Sequence, residues 1–130
     1  MAGNPELSII ILNYNTKELL ADSLNSIKKC EEEISLEVIV SDNASSDGSA
    51  QMVKEQFPWV KLLEGSNEGF SKGNNRARPY AHGDIVLFLN PDTVVHKNVF
   101  TKTVAFLKEH EDVGALTCKL VLLDGSLDKD

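Results

Sequence analysis

Two kinds of hydrophobic pattern alternate along this chain, continuous apolar runs and stripes at helical spacing. Ser8-Ile-Ile-Ile-Leu-Asn13 is an apolar run rich in β-branched residues, the pattern of a strand buried on both faces of a parallel sheet. After it, Leu20, Leu24 and Ile27 recur at helical spacing and give that segment one face for the sheet. Asn15 or Thr16 stands where this helix needs a cap, and Glu18 is placed to reach back if Asn15 is the cap.

The alternation continues. Leu36-Glu-Val-Ile-Val-Ser-Asp42 reads as a second strand and Asn43 to Gly48 as a turn. Ala50 to Phe57 is helical, with Met52, Val53, Gln56 and Phe57 in register, and Pro58 closes it. Val60-Lys-Leu-Leu is a short third strand. Gly69 to Ala81 reads as a helix opened by a glycine-containing turn, and Pro79 is expected to kink or end it. Asp84-Ile-Val-Leu-Phe-Leu-Asn90 is the fourth strand, the most apolar and so expected at the centre of the sheet. Val99 to Glu111 carries Phe100, Val104 and Leu107 along one side of a helix. Four strand–helix alternations predict an α/β fold, a Rossmann-like, mostly parallel sheet with helices on both faces and right-handed crossovers.

The last part breaks the rhythm. Gly114 to Leu123 has strand character, and Asp124-Gly-Ser-Leu-Asp-Lys-Asp130 is a turn with no element after it. The expected organisation is a leader at 1–6, one domain at 7–123 and a cut-off tail at 124–130. A longer natural polypeptide is expected to continue from there, and an apolar surface left open by its absence would favour self-association.

Composition narrows the function. The 130 residues suit one domain. A formal net charge of −7 argues against a general electrostatic grip on nucleic acid or on an anionic membrane, which needs clustered Lys and Arg. Cys30 and Cys118 stand far apart with no CxxC spacing. That argues against a disulfide framework or a zinc site, and each is expected to be a small buried apolar residue in a reduced, cytoplasmic setting. No apolar run approaches the roughly 20 residues that span a bilayer, and Met1 to Glu6 is too short and polar for a signal peptide.

In an open parallel sheet, ligands collect beyond the carboxyl ends of the strands. Here those ends carry Asn13-Tyr-Asn15, Ser41-Asp42-Asn43, Asn90-Pro-Asp92 and, after the third strand, Asn67-Glu-Gly-Phe-Ser-Lys-Gly-Asn-Asn75. Each set alone is ordinary turn chemistry; four together point to a site. Asp42 stops an apolar strand, so its carboxylate is placed to accept hydrogen bonds from a base or ribose edge. Pro91 stiffens the exit of the fourth strand, and Asp92 then suits a hard divalent cation that takes its other ligands from phosphate and water. The Gly69–Gly73 turn resembles a phosphate cradle at a helix N-terminus, with Lys72 beside it, yet it is neither GxGxxG nor Walker A. His82, His96 and His110 are scattered and read as surface residues, His96 alone falling just past the metal candidate.

These blocks, Ser8 to Asn15, Val40 to Gly48, Asn67 to Asn75 and Leu89 to Asp92, resemble the ordered blocks of family 2 glycosyltransferases with the GT-A fold. The resemblance covers residues 7 to 127 and is greatest to the rhamnosyltransferase-like branch, in which Asn-Pro-Asp often stands in the Asp-x-Asp position. It implies inverting sugar transfer from a nucleoside diphosphate sugar, UDP- or dTDP-linked, assisted by Mg2+ or Mn2+. Carried over by position, Asn13, Asn15, Asp42 and Asn43 would form the nucleotide pocket, with Asp42 on the base. Lys72 and Asn74 or Asn75 would approach the ribose or diphosphate. Asn90 would touch ribose or a metal-bound water, and Asp92 would hold the metal as a Lewis acid for the departing diphosphate. The acceptor implied is a glycan or lipid-linked sugar, with the whole enzyme at the inner face of the membrane.

The match departs from the family in three respects, one being Pro79 late in the third helix. Asn90 is not an aspartate, so the metal site carries one negative charge fewer. Family members take the acceptor proton with an Asp or Glu in a second half, which is expected beyond Asp130; Asp124, Asp128 and Asp130 are candidates by composition alone. The expectation is a piece that binds donor and transfers nothing. Competing readings are a non-catalytic nucleotide-binding module that regulates a partner, a nucleotidyltransferase and a phosphoacceptor receiver domain. The nucleotidyltransferase lacks its glycine- and arginine-rich loop after the first strand. The receiver domain lacks acidic residues clustered at that strand's end.

Overall fold

A computed structural model describes residues 3–129, so Met1, Ala2 and the candidate Asp130 lie outside the described residues. Four parallel strands, β1 (Leu7–Asn13), β2 (Leu36–Asn43), β3 (Lys61–Gly65) and β4 (Ile85–Leu89), form one sheet in the order β3-β2-β1-β4. The helices are α1 (Lys17–Lys28), α2 (Ser49–Gln56), α3 (Phe70–Ala77) and α4 (Val99–Glu109).

The apolar runs form strands because both faces of the sheet are covered. Leu7, Ile9 and Ile11 of β1 share a core with Val38 and Val40 of β2, Leu20, Leu24 and Ile27 of α1, Met52 and Val53 of α2, and Phe100 and Val104 of α4. The alternate residues Ile10 and Ile39 pack with Ala77 of α3 in a smaller core on the opposite face. This two-sided burial follows from the period of two along a strand.

The α/β class and parallel sheet are as expected, but the place of β4 is not. The most apolar strand stands at the edge of the sheet, and β1 and β2 are the two flanked on both sides. Ile85, Leu87 and Leu89 pack against the larger core, while Val86 and Phe88 on the other face are 40% and 54% exposed. Apolar content records how much burial a strand's surface calls for and says nothing of its rank in the sheet.

The segment from Gly114 to Leu123 also departs from expectation. It forms no strand; one antiparallel bridge joins Val121 to Leu127 around a turn in which Gly125 has φ +84°. A strand needs a ladder partner, and among the described residues the pairing of this segment is that one local bridge. Pro79 ends the third helix as anticipated, since α3 stops at Ala77 and Arg78–Tyr80 continues as a short 3-10 turn. Cys30 is buried as expected, whereas Cys118 is exposed, and both are free. Among the described residues no helix is long and apolar enough to cross a membrane.

Candidate functional site

The strand order has a topological switch beside the polar strand ends. From β1 the chain steps outward to β2 and β3, then returns to the other side of β1 to lay down β4. Strand order therefore reverses between β1 and β4, and such a switch point opens a crevice at the carboxyl ends. The pairs Asn13–Asp42, Asn43–Gly65 and Ile11–Leu89 place the ends of all four strands at this one edge. Asn90-Pro-Asp92 leaves β4 directly after Leu89.

At that edge Asn13 and Asp42 are buried together. Asn13 Nδ2 donates to Asp42 Oδ1 (2.8 Å) and to Ser45 Oγ (3.1 Å), and Asn13 Oδ1 accepts Thr16 Oγ1 (2.7 Å). Ser45 donates to Asp42 twice more, from Oγ to Oδ1 (2.7 Å) and from its backbone N to Oδ2 (2.9 Å). A buried carboxylate demands such donors, because water is absent. Thr16 precedes α1 but makes no side-chain cap; its hydroxyl is committed to Asn13.

The two loops next to these strands interlock. Asn15 takes φ +52°, a left-handed backbone that asparagine tolerates, and its Oδ1 accepts Ser46 N (2.7 Å). Asn15 N donates to Ser45 Oγ (2.9 Å). Asp47 accepts Lys17 N (2.9 Å) at the start of α1 and both Ser49 N (3.0 Å) and Ser49 Oγ at the start of α2. One carboxylate thus serves two helix N-termini, where negative charge is favoured. Burial pushes the Asp47 carboxyl up, but hydrogen bonds from Ser49 and Lys17 outweigh it and hold the group below the usual range.

On the β3 side, Asn43 Nδ2 donates to Asn67 Oδ1 and Gly69 O, each at 3.3 Å. Helix α3 approaches closely because Gly73 has no side chain: a Cβ there would lie 2.3 Å from Leu12 Cδ1 and 2.9 Å from Asn43 Oδ1. Asn74 is buried and turns its amide back to Phe70 O (3.1 Å), whereas Asn75 is exposed. Lys72 pairs with Glu68 at 2.8 Å on the surface. The hydrogen bond and charge of Glu68 raise the lysine, and those of Lys72 lower the glutamate.

Asn90 and Asp92 are exposed on the loop after β4. The far end of this loop is tied down by Val95 N to Ser26 Oγ (3.0 Å) and Asn98 N to Glu33 Oε2 (3.0 Å). His96 lines a depression with Cys30 and Glu33 at the C-terminal end of α1. His82 is exposed at the opposite, amino end of the strands, beside Glu37. Among the described residues no three His, Cys, Asp or Glu side chains gather to hold a metal. A lone exposed carboxylate suits a hard cation that draws its remaining ligands from phosphate and water.

The sequence matches Glycosyl transferase family 2 over residues 8–121. The chain belongs to this family. It is 38% identical over 110 residues to the uncharacterized glycosyltransferase YfnE of Bacillus subtilis (strain 168), covering 81% of this chain and 27% of YfnE. It is 31% identical over 110 residues to the poly(ribitol-phosphate) beta-N-acetylglucosaminyltransferase TarS of Staphylococcus aureus (strain Mu50), covering 81% of this chain and 19% of TarS. The chain therefore spans about a quarter and a fifth of these two relatives. The structure of S. aureus TarS 1–349 in complex with UDP-GlcNAc superposes with TM-score 0.68 at 26% identity, covering 92% of this chain and 41% of that one. The mannosyltransferase PcManGT from Pyrobaculum calidifontis, in complex with GDP-Man and Mn2+, gives TM-score 0.68 at 26% identity, covering 82% and 33%.

The glycosyltransferase fold uses residues that the sequence patterns did not single out, Ser45, Asp47 and Arg76, and it gives Thr16, read as a cap candidate, a bond to Asn13 instead. Asp47 carried a readable signal, since an acidic residue two before Ser49 is a common helix-start arrangement. Ser45 looked like any turn serine, and nothing in the spacing around Arg76 pointed to its contacts.

Proposed function

We propose that this chain is the donor-binding portion of an inverting glycosyltransferase that takes a UDP- or dTDP-linked sugar with the help of Mg2+ or Mn2+. One observation carries the reading: the carboxyl ends of β1 and β2 are locked around a buried Asp42 beside the switch in strand order between β1 and β4, and Asp92 presents a free-standing carboxylate from the same edge. In this reading Asp42 and Asn43 face the base, with Asn13 and Asn15 shaping the pocket. Lys72, Asn74 and Asn75 form the ribose and diphosphate side, and Asn90 joins Asp92 near the metal. The ion supplies Lewis-acid stabilisation of the leaving diphosphate. The bound UDP-GlcNAc in TarS and the GDP-Man with Mn2+ in PcManGT support this chemistry for a related fold. Asn90-Pro-Asp92 supports a place in the rhamnosyltransferase-like branch.

The acceptor in this proposal is a glycan or lipid-linked sugar. Its setting is cytoplasmic. The test is calorimetry with UDP, dTDP and GDP, each with and without Mn2+, on wild type and Asp92→Ala. Metal-dependent binding that Asp92→Ala abolishes supports the assignment. Absence of any nucleotide binding, or metal-dependent binding untouched by Asp92→Ala, refutes it.

A further inference from the structure

Arg76 reaches from the last turn of α3 across the carboxyl ends of β2 and β3. Its Nη1 donates to Ser41 Oγ (3.3 Å), Asp42 O (3.2 Å) and Asn43 Oδ1 (3.3 Å), and its Nη2 donates to Ser66 O (2.7 Å). All four acceptors are neutral oxygens, three on the end of β2 and one on the loop after β3. A planar guanidinium can hold such a spread of acceptors at once, which a lysine ammonium cannot.

Gly65 makes this arrangement possible. A Cβ at Gly65 would lie 2.4 Å from Arg76 Cζ and 2.6 Å from Nε. Gly65 does not have the left-handed backbone of Gly48 or Gly69, so the close approach of the guanidinium is what calls for glycine here. The pair is a fitted contact between the end of a strand and a side chain from the helix after it.

Arg76 also sets the direction of Asn43. With Oδ1 facing the guanidinium, Nδ2 is turned to Asn67 Oδ1 and Gly69 O. The amide then bridges the end of β2 to the loop that opens α3. Asn43 directly follows Asp42, whose own carbonyl is held by the same Nη1.

We propose that Arg76 is a positioning residue for nucleotide recognition, acting through Asn43 and the Asp42 carbonyl, with Gly65 as the seat of its guanidinium. The proposal rests on the nucleotide reading above and adds that the base side of the site is held from behind by α3.

The test uses the whole chain in Mn2+, with calorimetric titration of UDP and separately of inorganic pyrophosphate against R76K, G65A and the double variant. R76K keeps the charge and G65A keeps the arginine, so both remove the seated geometry without emptying the region. Each is expected to weaken UDP about tenfold, the scale of one oriented charge-assisted hydrogen bond, while pyrophosphate affinity is unchanged. The double variant is expected to lose no more than R76K alone, as for residues acting in one contact. The Asn43 side-chain amide resonance is expected to shift in both single variants. Equal loss of UDP and pyrophosphate would mean a merely structural arginine and overturn the proposal. So would UDP affinity unchanged in both single variants, an outcome that leaves the nucleotide reading standing. Failure of wild type to bind UDP, dTDP or GDP overturns the nucleotide reading itself and this proposal with it.

Discussion

Asn13 Nδ2 and Asp42 Oδ1 meet at 2.8 Å, on residues that are register partners at the ends of β1 and β2. Both are buried, and the other donors to the Asp42 carboxylate are the hydroxyl and backbone N–H of Ser45. The carboxylate is thus held by neutral donors from the end of β1 and from the loop after β2. Any function assigned to Asp42 depends on that frame.

Removing Asn13 tests the frame directly. Asn13→Ala leaves Asp42 one donor short and Thr16 without its acceptor, an unsatisfied buried pair that costs about 1–3 kcal/mol. Asn13→Asp sets two carboxylates against each other, and its stability should partly recover on acidification as one of them takes a proton. Urea denaturation at neutral and acid pH measures both. A stability of Asn13→Ala equal to wild type would show that the amide is not needed to hold the carboxylate.

A second carboxylate sits at the opposite end of the strands. Glu37 accepts hydrogen bonds from Ser8 Oγ and His82 N, and its other oxygen lies 3.3 Å from His82 Nδ1. Burial pushes its carboxyl up, but the Ser8 and His82 hydrogen bonds and the His82 charge outweigh this and hold it below its ordinary value of 4.5. The unfolded chain therefore takes up this proton at higher pH than the folded one. Stability from the group is complete above the unfolded value and is lost as pH falls through the lower folded value. Glu37→Gln should be less stable than wild type at neutral pH, with the gap closing below pH 4.5. Thermal melts across that range decide it, and a gap that stays constant into acid contradicts the linkage.

Gly83 lies against the start of β1, where its backbone N donates to Ser8 Oγ (2.7 Å). A Cβ there would come within 2.6 Å of Ser8 N and 2.8 Å of Leu7 C. Those are backbone atoms of the central strand and cannot move aside alone. Gly83→Ala should therefore destabilise by about 1–3 kcal/mol, the cost of overpacking. Gly114→Ala is the control, since nothing lies within 4 Å of the added carbon. Equal denaturation midpoints for the two variants would refute the close packing.

Much of this architecture is legible along the chain because each part is written locally. The triple isoleucine of β1, the stripe of Leu20, Leu24 and Ile27, and Pro79 after α3 each dictate their element from neighbouring residues alone. The polar residues at the strand ends were legible for the same reason, as abrupt changes after apolar runs. Strand order was not. Whether β4 lies inside or at the edge depends on contacts between segments far apart, and its apolar content is the same in both cases. Ser45 and Arg76 escaped notice because Asn13 lies 32 residues from the one and Ser41 lies 35 from the other, and only the folded sheet brings them together.

The edge position of β4 has a consequence in solution. One side of the strand is paired to β1 and the other is without a strand neighbour among the described residues. Its five residues, Ile85 to Leu89, include no charge, and Val86 and Phe88 are exposed on the face that α3 leaves uncovered. Natural sheets guard such edges with charges, prolines or a covering element, and exposed apolar area of this kind drives association. The expected outcome is reversible self-association of this chain through β4, seen as a sedimentation coefficient that rises with concentration. Phe88→Lys should abolish that rise and leave the circular dichroism spectrum unchanged, because Phe88 belongs to neither core. A chain that stays monomeric at every concentration, or a Phe88→Lys variant that associates as wild type does, would rule out β4 as the contact.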